Sequence, residues 1–209
     1  RCDSSASDIN FNQKLLRLWR RRLSNGINLD LPGSFVGGYK NITTIFLDRS
    51  SKKMAFGPKE GVGRARSVGC EFAIQLARQG TLEDHWIYST DADAKLPDTY
   101  FIRGEEDRGA KALIFPYRHQ CLRTPSSLQS QAMELYERFL KYQEMGLTFS
   151  GSPYAFHTIG STIATTIEAY QAVGGFPNKQ AGEDFYFLNK VAKVGLIRNA
   201  SHAPILLAG

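Results

Sequence analysis

The sequence predicts an α/β fold built on a mostly parallel sheet with helices flanking both faces. Short β-branched or aromatic runs alternate with stretches whose apolar residues recur at helical spacing. Parallel neighbours need a crossover between them, and a helix is the usual crossover, so this alternation favours parallel pairing and two covered faces. Several strand-like runs also end directly in polar or acidic residues. Ligands are bound at that carboxyl edge in open α/β sheets. With 209 residues, 42% hydrophobic and 22% charged, the chain can bury one substantial core, and no repeat or linker divides it. A single domain over 1–209 is expected.

Leu15, Leu16, Trp19 and Leu23 predict a helix over 9–24, with Arg17, Arg20, Arg21 and Arg22 on its solvent face. A Gly/Pro-bearing loop is expected through Gly38, then a buried strand over Ile42–Leu47 ending in Asp48-Arg49-Ser50. A second loop over 52–63 leads to a helix whose face is marked by Ala65, Val68, Gly69, Phe72, Ala73 and Leu76, stopping near Gly80. Trp86–Thr90 and Lys111–Phe115 read as strands, the second halted by Pro116. A long surface helix follows, capped by Ser126, with Leu128, Ala132, Leu135, Phe139 and Tyr142 along one stripe. Residues 154–164 are rich in β-formers. Thr165 and Glu168 have capping-box spacing for a short helix ending at Gly174-Gly175. The last helix expected is 184–194, with Phe185, Leu188, Val191 and Ala192 inward and Gly195 as its stop.

Cys2, Cys70 and Cys121 are odd in number and widely spaced, which argues against a disulfide framework and for a reducing, cytoplasmic setting. No run of about 18 apolar residues offers a membrane span, and the opening Arg1-Cys2-Asp3 resembles no signal peptide. The net charge of +6 suits anionic ligands in general. It is spread along the chain and no nucleic-acid recognition motif accompanies it, so no nucleic-acid partner is expected. A peripheral membrane contact through helix 9–24 stays open beside the plain solvated-face reading.

Three constellations carry chemistry. Asp91-Ala92-Asp93 directly follows an apolar strand. Two adjacent carboxylates repel unless a cation neutralises them, and hard oxygen donors select Mn²⁺ or Mg²⁺, which in turn grip a diphosphate. The same pair also fits helix capping or acids facing water. Gly61-Val62-Gly63-Arg64-Ala65-Arg66 opens a helix, where backbone N–H groups and two guanidinium groups can meet an anion; a flexible turn with solvent-facing arginines is the alternative. Glu183-Asp184 at a helix start is either a favourable arrangement on the macrodipole or a general base.

In this order, the segments 46–51, 61–69, 87–93 with Pro97 and Tyr100, and 170–176 followed by Gly182-Glu183-Asp184 resemble GT-A glycosyltransferases of the family 2-like branch. The resemblance spans about residues 42–196. It implies a GT-A (Rossmann-like) fold binding a nucleotide-diphosphate sugar, with the metal on Asp91 and Asp93. It further implies Asp184, beside Glu183, as the base that deprotonates a hydroxyl acceptor, with inversion at the anomeric carbon. Asp48, Arg64, Arg66 and Asp91 fall where that family contacts the donor. His202 lies about where relatives supply a third metal ligand, and His157 on the acceptor side; an ordinary structural histidine is the alternative for each. The family's opening strand is not recognisable before Asp8, so truncation at one or both ends is expected, with divergence at the start as the alternative. Two other readings are a nucleotidyltransferase acting on sugar phosphates, whose glycine- and lysine-bearing signature is not visible, and a non-catalytic nucleotide-sugar-binding scaffold. Three retained acids count against the scaffold.

Overall fold

The computed structural model describes residues 6–30, 33–51, 54–57, 59–120, 127–179 and 181–208. Cys2, Cys121 and the expected cap Ser126 lie outside them. The fold is mixed α/β, and its own contacts divide it into two units, 1–69 with 178–181, and 70–177 with 182–209.

The first unit begins with α1 (Ala6–Arg22), close to its expected span. Where a loop was expected, a hairpin forms from β1 (Ser24–Asn28) and β2 (Phe35–Tyr39), and β3 (Ile42–Phe46) completes an antiparallel sheet in the order β1-β2-β3. The link from β2 to β3 is a two-residue turn, Lys40-Asn41, with Tyr39 opposite Ile42 and Lys40 at φ 56°. Such turns match the right-handed strand twist. Gly37 is required inside β2, because a Cβ there would stand 2.8 Å from that of Leu23. Trp19 of α1 packs its ring on Tyr39 and Phe46, and Phe46 stacks on Phe35 at 4.9 Å. β3 is therefore half-exposed, not the buried strand expected, since it lies at the edge of a small sheet.

Helix α2 (Val62–Arg78) runs from the first unit into the second. It ends as expected: Gly80 takes φ 71° and Thr81 N–H returns to the Leu76 carbonyl at 3.0 Å, a left-handed glycine stop. Its buried line is Gly63, Ser67, Cys70 and Ile74, rotated from the face expected.

The second unit is built on a four-stranded sheet in the order β4-β7-β5-β8, comprising β4 (Trp86–Ser89), β5 (Ala110–Ile114), β7 (Ile163–Thr166) and β8 (Leu196–Asn199). β7 is antiparallel to both β4 and β5, and β8 is parallel to β5. It follows that β4, β5 and β8 run one way with β7 inserted against them. The sheet is mixed where a mostly parallel one was expected. The reason is local: the β-forming stretch before Thr165 returns between the earlier strands instead of crossing over a face. A parallel pair, β6 (Tyr117–Gln120) with β9 (Ile205–Ala208), stands beside it.

Side-chain alternation sorts this sheet into two cores. Ala112, Ile114 and Ile163 point to one face, covered by α2, α4 (Ile167–Ala172) and α5 (Glu183–Val191). Phe187, Leu188 and Val191 of α5 are fully buried there, each worth about 1.5–3 kcal/mol over an exposed position. Leu113, Phe115 and Ala164 point the other way, onto Tyr100, Ile205 and Leu207. Among the described residues, then, a loop and a strand cover the face where helices were expected.

Thr166, one residue beyond the expected cap, closes α4 by accepting the Ala169 N–H at 3.1 Å. In α5, Phe187 takes the inward place expected of Phe185, because it lies on one helical face with Glu183, Leu188 and Val191 whereas Phe185 lies off it. The long helix α3 (Ser127–Phe149) is at the surface as expected. Among the described residues, no helix is long and apolar enough to cross a membrane.

Candidate active site at the carboxyl edge of the sheet

Because β4, β5 and β8 share a direction, their carboxyl ends share one edge of the sheet. Thr90-Asp91-Ala92-Asp93 leaves that edge from β4, Phe115 from β5 and Ala200-Ser201-His202 from β8. β7 enters at the same edge through the single helical turn Gly160–Thr162. Chain direction alone thus gathers the acidic pair, His202 and the Gly160 backbone along one rim.

Asp91 and Asp93 sit on a tight turn, with the Ala94 N–H on the Asp91 carbonyl at 3.1 Å. Both side chains are exposed, so water can solvate their charges. The turn is pinned from behind by Lys95, whose backbone exchanges hydrogen bonds of 2.8 and 3.0 Å with Leu206 of β9.

The His202 ring packs edge-on against Phe115, with centroids 5.2 Å apart. Its Nε2 bonds the Ile102 carbonyl, and a carbonyl only accepts, so the proton is on Nε2. Nδ1 is buried and has no hydrogen-bond partner among the described residues. An imidazole oriented by one N–H on a backbone carbonyl with its other nitrogen bare is how metal-binding histidines are held. The donors fit a hard divalent cation in kind. Among the described residues, however, no three His, Cys, Asp or Glu side chains are grouped closely enough to hold one.

The acidic pair at the start of α5 splits in two. Glu183 is buried at 5% exposure, whereas Asp184 is partly open. Gly182 makes this possible by entering the helix at φ 72°, a left-handed conformation that favours glycine. Asp184 Oδ2 accepts the Gly160 N–H and Oδ1 the Phe185 N–H, both at 2.8 Å. Two fixed donors set the carboxylate's orientation and tie it to the edge that carries Asp91 and Asp93.

Next to Asp184 lies a cavity of about 490 Å³, with α3, the segment 152–159 and α5 as its walls. Phe185 and Ile159, the chain neighbours of Asp184 and of its partner Gly160, both line it. Tyr136, Tyr154 and Phe156 give it apolar surface, and Asn189, Lys193 and Glu144 give it polar groups. His157 also lines the cavity; its Nε2 lies 3.2 Å from Thr162 Oγ1 and its Nδ1 3.8 Å from Glu144 Oε2. The His157 contact is the largest influence on Glu144 and outweighs the opposing effect of burial, so the Glu144 carboxyl is held below its ordinary pKa. Asn199 Nδ2 adds a hydrogen bond at 3.3 Å. Nothing in the local sequence marks Glu144. It reaches the cavity through the pitch of a 23-residue helix that only the tertiary fold orients.

The remaining predicted residues belong to the first unit. Asp48 is 4% exposed, and its oxygens accept hydrogen bonds from the backbone and hydroxyl of Ser50 and from those of Ser51. Burial works to raise its pKa, but these bonds outweigh it and hold the carboxyl below its ordinary value. Its visible work is to brace its own turn, and Gly33 must be glycine because a Cβ would meet Asp48 Oδ2 at 2.6 Å. Arg64 opens α2 with Nε 3.6 Å from Glu60, and Arg66 is two residues further along the same turn. Comparison of the chain with family models, with curated proteins and with solved structures yields no match.

Proposed function

We propose that this chain is an inverting, metal-dependent glycosyltransferase of the GT-A, family 2-like kind, moving a sugar from a nucleotide-diphosphate donor to a hydroxyl acceptor. The observation that carries the reading is Asp184: a partly open carboxylate, oriented by two backbone N–H groups, whose chain neighbour Phe185 lines a cavity large enough for a small acceptor. The shared direction of β4, β5 and β8, with Asp91-Ala92-Asp93 at their carboxyl edge, supports the same fold and donor site.

In this proposal Asp184 takes the proton of the acceptor hydroxyl while the acceptor oxygen bonds to the anomeric carbon. The bond from that carbon to the diphosphate oxygen breaks, and the nucleoside diphosphate leaves from the opposite face. Mn²⁺ or Mg²⁺ on Asp91 and Asp93 would neutralise charge on the leaving diphosphate. Glu183, buried behind Asp184, supports the helix start. The scarcity of cysteine accords with a cytoplasmic setting.

A second reading is a domain that binds nucleotide sugars without turning them over. It is favoured by the lack, among the described residues, of a three-residue group able to hold a metal. One assay separates the two. Nucleoside diphosphate release is followed from a panel of UDP- and GDP-sugars with Mn²⁺, Mg²⁺ or EDTA, with and without simple sugar acceptors. Metal-dependent release that Asp184→Asn suppresses is expected. Donor binding without any release, across the panel, would replace the enzyme reading with the scaffold.

A further inference from the structure

The apolar stripe of α3 runs Leu128, Ala132, Leu135, Phe139, Tyr142, Gly146, Phe149, spacings of four and three that alternate without a break. That period of 3.5 keeps a seam facing a partner helix along its whole length. It is also uncovered. The half-buried residues of α3 are Met133, Glu137, Leu140 and Glu144, on another side, while Tyr142 is 76% and Phe149 95% exposed. A helix of this length carries the seam over about 34 Å. Its large side chains put roughly 700 Å² at stake, judged from the 150–250 Å² that a large aromatic side chain buries. A standard stable interface takes about 800 Å² from each partner.

We propose that this seam is the dimer interface, joining α3 of one copy to α3 of a second copy in antiparallel register about a two-fold axis between Phe139 and Tyr142. A two-fold interface must be complementary to itself. Reversed about that point, the spacings of three, four, three, four and three from Ala132 to Phe149 match themselves. Phe139 then faces Tyr142, Leu135 faces Gly146, and Ala132 faces Phe149. Each small residue meets a bulky one, and the two aromatic pairs fill the centre. Charge disfavours an anionic lipid surface as the occupant. The helix carries Glu134, Glu137 and Glu144 against Arg138 and Lys141, and Arg138 is paired with Glu134 at 2.6 Å. Helices that lie on membranes are rich in Lys and Arg instead. Pairing would also brace a wall of the 490 Å³ cavity, because Tyr136 and Gln143, next to the seam residues Leu135 and Tyr142, line it.

The test is sedimentation equilibrium of the full chain across micromolar concentrations, alongside Phe139→Glu and Phe139→Lys. Phe139 is exposed in the single copy, so both variants should keep the wild-type circular dichroism. The expected result is a wild-type dimer, a roughly hundredfold weaker association in each variant alone, and recovery of the dimer when the two are mixed. A wild-type monomer throughout would overturn the proposal, as would a dimer indifferent to Phe139→Glu. A monomer that co-sediments with phosphatidylglycerol vesicles and is released by Phe139→Glu would assign the seam to a membrane instead.

Discussion

Replacing Asp184 by Asn tests the proposed base while changing the site by one atom and one charge. Asp184 gives one oxygen to Gly160 N–H and the other to Phe185 N–H. Asparagine keeps one of those acceptors, and its amide nitrogen cannot accept the other N–H. At these two donors the structural cost is one backbone hydrogen bond, about 1–3 kcal/mol where the donor is left buried. A domain stable by about 5–15 kcal/mol stays folded after that loss. The catalytic cost is of another kind: loss of general-base help is worth about 10²–10⁴ in rate, equal to about 3–5 kcal/mol on the barrier. Initial rates of nucleoside diphosphate release, thermal melts and donor affinity on one preparation separate the two. A fall in kcat by about 10²–10⁴, with donor affinity little changed and a modest drop in Tm, is expected. A folded Asp184→Asn variant with full turnover would refute the assignment of the base.

Four further substitutions probe the frame around the site. Gly175→Ala should destabilise by about 2–4 kcal/mol, from a left-handed backbone at φ 69° plus a Cβ 2.7 Å from the buried Tyr170 ring. Gly174→Ala, at φ 75° with open space around it, should cost only about 1–2 kcal/mol in the same denaturant titration. Tyr100→Phe removes a buried hydroxyl that has no partner among the described residues, so stability should be unchanged or higher by up to about 1 kcal/mol. For Glu144, held below its ordinary 4.5, the stability it contributes is complete above that value and lost as pH falls through the lowered one. The gap in unfolding free energy between wild type and Glu144→Gln should therefore shrink as the solution is acidified below 4.5. A gap constant with pH would show that the His157 contact does not set the Glu144 carboxyl.

Local patterns reached only part of this molecule. The termination of α2 at Gly80, the strand Trp86–Ser89 before the acidic pair, and the helix after Gly182 were all legible, because caps, glycine stops and apolar runs act within a few residues. The β1–β2 hairpin was not legible, since Gly37 and Gly38 dilute its β-forming residues and read as a loop. Their presence answers the close approach of Leu23 and Ser24, a fact of packing. Strand order escaped for a similar reason. Nothing near Ile163 tells a strand that returns antiparallel from one that crosses over, and that choice made the sheet mixed. Of the site, Asp91 and Asp93 were read from their position after a strand and His202 only from the family resemblance, and the sheet edge they share follows from strand direction. Glu144 and the α3 wall of the cavity were missed, because helix periodicity shows which residues share a face but not what that face meets.

The most direct test of the proposed donor site is calorimetric titration of UDP, GDP and their sugar conjugates into the full chain. It is run with Mn²⁺, Mg²⁺ or EDTA, and repeated with an Asp91→Ala/Asp93→Ala double variant. Both side chains are exposed, so the variant should fold normally. Binding of one nucleotide that requires the divalent cation and disappears in the double variant is the predicted result. Binding that is equal with EDTA and in the double variant would contradict a metal-held donor at Asp91 and Asp93.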